Sequence, residues 1–304
     1  MPGSAAPPKA AVSDDLGEAR VFHHARFSAA RIARERARQG LGVSVCLPAR
    51  ECAATVGQIA HALGELREAG ALDEVVVVDA ASADGTAEIA REAGAIVWQE
   101  AELLPEYGPV LGKGDAMWRA LSVLRGDAVC FLDADTESFS PHFATGLLGP
   151  LVCEPDVSLV KAFYRRPLGA GAGARTASGG RVNALMARPA LAVLYPQLAG
   201  IRQPLAGEVA ARRELLRNLP FATGYGVEVA MLIDAWREVG LAGIAQVDLE
   251  EHRHSHQALA QLEPMARTVL ATIAARLQRE GRLLQAAAQP APVERPPLAS
   301  VSRA

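Results

Sequence analysis

Cysteine is scarce in this chain. Cys46, Cys52, Cys130 and Cys153 are spread over 304 residues with no CxxC pair, which argues against a disulfide framework and makes a reducing cytoplasm the default compartment. Cys46 and Cys130 fall inside apolar runs and read as small core hydrophobes. Aromatic residues make up 5 % of the chain, too few for a platform that stacks single-stranded nucleic acid. No run of 18 apolar residues occurs, so no membrane span is expected, and the N-terminus lacks the apolar stretch of a signal peptide. With a net charge of −3, nothing global points to nucleic acid or a membrane surface as partner. Apolar residues, by contrast, are plentiful. Half the chain is hydrophobic and 21 % is charged, enough for the core of one large α/β domain or two average ones.

The apolar residues are organised. Continuous short runs at 43–47, 74–79, 96–97 and 128–132 read as buried strands. Between them, 53–69, 83–93 and 115–124 read as helices, the second stopped by Gly94. Strands alternating with helices imply a mostly parallel sheet with right-handed crossovers. After Pro150 the rhythm changes: strands are expected at 157–164 and 243–249, helices at 182–194, 227–239 and 257–279, and a flexible Gly/Ala loop at 170–180. Four regions follow: a tail and basic helix (1–39, the helix over 28–39), a first α/β half (40–150), a second half (151–284), and an Ala/Pro-rich tail (285–304). Residues 1–20 and the final tail are expected to be disordered. The arginines of the basic helix read as a solvated face or as a contact to an anionic surface.

Chemistry gathers where apolar runs stop. The run ending at Leu132 gives way to Asp133-Ala134-Asp135. This reads either as a strand-to-turn boundary or as oxygen ligands for Mg²⁺ or Mn²⁺ at the carboxyl edge of the sheet, where open α/β sheets bind ligands. Asp79 ends another all-apolar strand, with Ser82 and Asp84 beyond it as helix caps or ligands. Pro48 ends pairing of the first strand and exposes backbone before Ala49 and Arg50. Gly112-Lys113-Gly114 precedes a helix without forming a P-loop; Lys113 is a phosphate-binding charge or an ordinary helix start. His252, His254 and His256 alternate, so an extended chain would place them on one face, as a polar edge or as a source of one metal ligand. Arg165, Arg166 and Arg181 are anion forks or solubilising charges. Glu228 in a first helical turn favours the helix dipole or binds a sugar hydroxyl.

Taken in order, LPAR (47–50), GKGDAMWR (112–119), FLDAD (131–135), VKAFYRRP (160–167), GGRV (179–182), QPLAGE (203–208), GYGVE (224–228) and IAQVDL (244–249) resemble retaining glycosyltransferase family 81. That family comprises the glucosyl-3-phosphoglycerate synthases, with related mannosyl-3-phosphoglycerate synthases. The resemblance covers about residues 40–265. It implies a GT-A (Rossmann-like) fold, with a mostly parallel central sheet flanked by helices and a mixed α/β acceptor-side half. It also implies Mg²⁺- or Mn²⁺-dependent transfer of glucose from a nucleoside diphosphate to the 2-hydroxyl of 3-phosphoglycerate, in a homodimer. By the same resemblance, Pro48, Ala49, Arg50, Asp79, Lys113, Asp133 and Ala134 line the nucleotide pocket. Asp135 and His254 hold the metal, and Tyr225 and Glu228 hold the sugar. Gly180, Arg181, Val182, Asn183 and His256 meet the acceptor, and the Leu205 carbonyl faces the anomeric carbon. Cys52 stands where the family often has an acidic residue, Asn183 where it has Thr, and His256 where it often has Asn.

Overall fold

A computed structural model of the chain describes residues 19–165, 180–251, 259–283 and 293–301. The candidate ligands His254 and His256, with His252, Arg166 and the Gly/Ala stretch 170–179, lie outside these residues.

The strands are β1 (Arg20–His23), β2 (Val43–Ala49), β3 (Glu74–Asp79), β4 (Ile96–Gln99), β5 (Ala128–Phe131), β6 (Leu159–Arg165), β7 (Val209–Arg212), β8 (Phe221–Ala222), β9 (Ile244–Glu251) and β10 (Glu294–Arg295). The α-helices are α1 (Ala29–Gln39), α2 (Val56–Glu68), α3 (Thr86–Glu92), α4 (Lys113–Ala120), α5 (His142–Cys153), α6 (Arg188–Leu194), α7 (Arg213–Asn218), α8 (Val227–Val239) and α9 (Leu259–Arg279). One eight-stranded sheet runs in the order β1-β9-β6-β7-β5-β2-β3-β4. Every pairing is parallel except the two made by β7, which lies antiparallel between β5 and β6. The sheet therefore continues unbroken across residue 150, and β7 welds the first-half strands to the second-half strands.

Central β2, β3 and β5 are buried and mostly apolar because helices cover both faces. Their side chains divide between two cores: Val45, Leu47, Val75 and Val77 pack with Ile59 and Leu63 of α2, and Cys46, Val76 and Val78 with Trp118 of α4. Helix α1 starts where the Ser28 hydroxyl accepts from the Arg31 N–H and stops at Gly40, whose φ of 67° is left-handed.

Several features depart from the sequence reading. A short β1, for which the sequence predicts no strand and of which only Arg20 falls in the stretch expected to be disordered, joins the sheet edge beside β9. The stretch His142–Cys153, left without assignment, is helix α5. Nearly all its residues are buried, so no apolar periodicity marks it. The C-terminal tail, expected to be disordered, is ordered over 293–301. There β10 pairs with β8, Leu298 is buried, and Trp118 Nε1 donates to the Pro296 carbonyl at 2.8 Å.

Candidate active site

The site lies at the carboxyl edge of β2, β3 and β5. Ala49 pairs with Asp79 in register, and the Ala80 N–H donates to the Ala49 carbonyl at 2.9 Å. Asp79 is 1 % exposed. One of its oxygens accepts from the Ser82 N–H at 3.1 Å and from Gln99 Nε2 at 3.0 Å, while Oδ1 is buried with no hydrogen-bond partner among the described residues. A buried carboxylate oxygen left unsatisfied at a ligand edge suits a donor from a bound nucleoside. Pro48 is half-buried and Arg50 is exposed just beyond the strand. Cys52 Sγ donates to the Arg50 carbonyl at 3.2 Å. Burial, with the charges of Asp135, Asp84 and Asp133, pushes its thiol up to about 11, so it stays neutral.

Beyond β5 the chain turns at Asp133, Ala134 and Asp135. Thr55 at the start of α2 donates to the Ala134 carbonyl at 2.6 Å, and the Thr136 hydroxyl donates to the Asp133 carbonyl at 3.1 Å. Both bonds fix the turn. Asp133 is half-buried and Asp135 exposed.

Lys113, the first residue of α4, places its ammonium 2.5 Å from Asp133 Oδ1 and 3.4 Å from Glu228 Oε1. Burial opposes this charge, but Asp133 and Glu228 outweigh burial and hold the ammonium above its ordinary range. Two glycines make the approach possible. A Cβ on Gly114 would sit 2.0 Å from the Ala222 carbonyl oxygen and 2.9 Å from Val227, so only a glycine lets the start of α4 lie against β8 and the start of α8. A Cβ on Gly207 would fall 2.5 and 2.7 Å from the Asp133 oxygens and 2.6 Å from Lys113 Nζ. Gly207→Ala is therefore expected to fold normally while pushing Lys113 and Asp133 apart. Steady-state kinetics with the sugar donor should show kcat/KM lower on the order of tenfold.

Tyr225, in the turn before α8, is 56 % exposed, whereas the Glu228 side chain is only 12 % exposed. Leu205 is held by its N–H, which donates to Asn183 Oδ1 at 2.9 Å. The Ala206 N–H donates to the Gln203 carbonyl at 3.1 Å, and in a trans peptide this turns the Leu205 carbonyl the opposite way. Asn183 follows Gly180, Arg181 and Val182, with Gly180 at φ 92° and the Ala184 N–H bonded to its carbonyl. Thus Lys113, Asp133, Glu228 and Gly207 come together, as do Leu205 and Asn183.

The oxygen donors of the Asp133–Asp135 turn are of the hard type that suits Mg²⁺ or Mn²⁺ shared with a diphosphate. Asp135 is exposed at this turn, next to the half-buried Asp133.

Several site-building residues were not singled out from the sequence. Asp115 and Arg119 are fully buried; Arg119 donates to Asp115 and to the Leu103, Leu104 and Gly108 carbonyls, and Arg295 adds two bonds of 2.7 Å to Asp115. This network fixes the loop that delivers Lys113. Lys161, Glu208 and Tyr164 are buried; Lys161 Nζ donates to the Ala206 carbonyl, and the Tyr164 hydroxyl to Glu208. The signal for Lys161 was a lone charge inside an apolar strand.

Residues 44–207 match the family model described as glycosyl transferase family 2. The chain is 41 % identical over 267 residues to the glucosyl-3-phosphoglycerate synthase of Petrotoga mobilis, covering 87 % of this chain and 82 % of that one. The crystal structure of mannosyl-3-phosphoglycerate synthase from Rubrobacter xylanophilus superposes with a TM-score of 0.85 at 44 % identity, covering 93 % of this chain and 96 % of that one. Glucosyl-3-phosphoglycerate synthase from Mycobacterium tuberculosis in complex with Mn²⁺, UDP-glucose and phosphoglyceric acid gives a TM-score of 0.80 at 38 % identity, with coverages of 92 % and 98 %. The GT-A fold and the resemblance seen in the sequence are both borne out: the chain belongs to the family described as glycosyl transferase family 2 and to the family of the glucosyl-3-phosphoglycerate synthases.

Proposed function

We propose that this protein moves glucose from UDP-glucose to the 2-hydroxyl of 3-phosphoglycerate, with retention at the anomeric carbon. The observation that carries the reading is the Lys113 ammonium held between Asp133 and Glu228 at the ligand-binding edge of the sheet. It sets a cation between the carboxylate on the nucleotide side and the carboxylate on the sugar side, where a donor diphosphate would lie.

In this reading Pro48, Ala49, Arg50, Asp79, Asp133 and Ala134 hold the nucleoside, and Lys113 binds the diphosphate. Tyr225 and Glu228 orient the glucose. Gly180, Arg181, Val182, Asn183 and His256 receive the acceptor. Asp135 and His254 would hold Mg²⁺ or Mn²⁺, which when bound neutralises charge on the departing diphosphate. A double displacement would need a side-chain nucleophile under the sugar. In this reading Glu228, paired with Lys113, binds hydroxyls instead. A front-face route follows, in which the diphosphate oxygen helps to deprotonate the acceptor and the Leu205 carbonyl stabilises positive charge at the anomeric carbon. Trapping a covalent adduct on Glu228 would contradict it.

The second reading is mannosyl transfer from GDP-mannose, favoured by the superposition on the Rubrobacter xylanophilus mannosyl-3-phosphoglycerate synthase. The test is turnover of UDP-glucose and GDP-mannose, each with 3-phosphoglycerate or glycerate and Mg²⁺ or Mn²⁺. The expected result is a higher kcat/KM for UDP-glucose by roughly tenfold or more. No turnover with either donor would remove the assignment, leaving a non-catalytic nucleotide-sugar binder.

A cytoplasmic, homodimeric enzyme is part of the same proposal. Cys46, Cys52 and Cys130 are buried free thiols. No helix among the described residues is long and apolar enough to cross a membrane. The exposed Leu185 and Val193, 76 % and 78 % accessible around α6, offer an apolar contact between subunits.

A further inference from the structure

A lysine in the middle of a buried strand needs a reason. In β6, Lys161 is flanked by Leu159, Val160, Ala162 and Phe163, all buried, and is itself 2 % exposed. Its register partners are Val209 of β7 and Gln246 of β9, neither of which carries a charge. Taking an ammonium out of water is unfavourable unless partners compensate. Its hydrogen-bond acceptor is a backbone oxygen: Nζ donates to the Ala206 carbonyl at 2.5 Å.

The position of that acceptor matters. Ala206 follows Leu205, and the peptides on either side of the Leu205 carbonyl are both held. The Leu205 N–H is bound by Asn183 at 2.9 Å, and the Ala206 carbonyl is bound by Lys161. The adjoining residues are also fixed. Gln203 Nε2 donates to the Tyr164 carbonyl at 2.5 Å, the Tyr164 hydroxyl donates to Glu208 Oε2 at 2.9 Å, and Gly207 lies against Asp133 and Lys113.

The charged groups that face Lys161 are Glu228 from α8, Glu208 at the entry to β7, Lys113 from α4 and Asp133 after β5. Burial pushes its ammonium down to about 8, with Lys113 acting in the same direction; Glu228, Glu208 and Asp133 pull the other way. The lysine is thus coupled electrically to the donor site and mechanically to the Leu205 backbone.

We propose that Lys161 is a positioning residue for glycosyl transfer, holding the Leu205 carbonyl toward the anomeric carbon by gripping the next carbonyl in the chain. The inference rests on the glucosyl-transfer reading above. A packing role alone would be met by an apolar side chain of similar length. A positioning role requires the N–H donor and its charge, since a small misplacement of a preorganised dipole is costly in the transition state.

The experiment compares the full-length parent with Lys161→Met, Lys161→Gln and Glu208→Gln, using UDP-glucose, 3-phosphoglycerate and Mn²⁺. Lys161→Met should lower kcat roughly tenfold to thirtyfold with the KM for UDP-glucose unchanged. Lys161→Gln, which keeps an N–H donor, should recover part of that loss. The parent's kcat/KM for the donor should fall above about pH 8. Glu208→Gln should move this limb to lower pH, because it removes a charge that favours the ammonium, and Lys161→Met should abolish the limb. If Lys161→Met does not fold, the Glu208→Gln shift and the Lys161→Gln kinetics decide the matter. An active parent with a Lys161→Met variant of parental kcat, or an alkaline limb unmoved in Glu208→Gln, overturns this inference alone. A parent with no transferase activity overturns the functional reading and this inference together.

Discussion

Asp135→Asn is expected to lower kcat by about a hundredfold or more, equivalent to roughly 2.7 kcal/mol or more of lost transition-state stabilisation. The substitution keeps size and polarity but removes the negative charge on which a divalent cation depends. Asp135 is exposed at the end of a turn fixed independently by Thr55 and Thr136, so the variant should fold like the parent. Titration calorimetry supplies the second readout. The parent should bind UDP more tightly with Mn²⁺ than without it, and Asp135→Asn should lose most of that difference. Glu137→Gln, which changes an exposed carboxylate two residues further on, serves as the control and should behave like the parent. A variant with intact metal-dependent binding and turnover would show that the carboxylate is only a turn residue.

The largest stability effect is expected at a residue of the C-terminal segment, far from the nucleotide pocket in sequence. Arg295→Ala removes a guanidinium that makes two 2.7 Å bonds to buried Asp115 and also donates to the Tyr107 and Pro109 carbonyls. Breaking one side of a buried ion pair typically costs about 3–5 kcal/mol. Arg119 remains beside Asp115 at 3.2 Å, so the lower end is expected: about 3 kcal/mol, or a Tm lower by roughly 5 °C. The acid side of the stability profile gives the sign. Burial raises the Asp115 carboxyl, but the hydrogen bonds from Arg295 and the Leu111 N–H, with the charges of Arg119 and Arg295, win and hold it below the usual carboxylate range. Its contribution is present above the ordinary carboxylate pKa and is lost as pH falls through the depressed value. In Arg295→Ala this depression shrinks, so stability should be lower at neutral pH and fall less steeply on acidification. Thermal melts between about pH 3 and 7 test both.

Both predictions depend on features that the sequence reveals unequally. The strands β2, β3 and β5 were legible because burial on both faces makes them near-continuous apolar runs, and the aspartates that follow or end two of them mark the ligand edge. Helices α2, α3 and α8 were legible as stretches between the strands, with Gly94 marking the stop of α3. Strand β7 was not: Val-Ala-Ala-Arg is four residues long, and its antiparallel place between β5 and β6 is set by tertiary partners. Helix α5 was hidden because burial on every side erases periodicity. The ordered tail was hidden because the partner of Arg295, Asp115, is 180 residues away, and composition alone cannot report such a bond.

The site divides in the same way. Asp79, Asp133 and Lys113 each stood out by position, but their roles came from resemblance, since no spacing rule joins Lys113 to Glu228. Lys161 lay in a segment already singled out for its arginines. The anomaly was the charge preceding them, flanked along the chain by the apolar Val160 and Ala162.

The most direct measurement is the structure of the product. Purified protein with UDP-glucose, 3-phosphoglycerate and Mn²⁺ should yield one new species, and proton NMR should place an α-linked glucose on the 2-hydroxyl, with the donor's anomeric configuration retained. A β-linked product, glucose attached elsewhere, or no metal-dependent product would contradict the account.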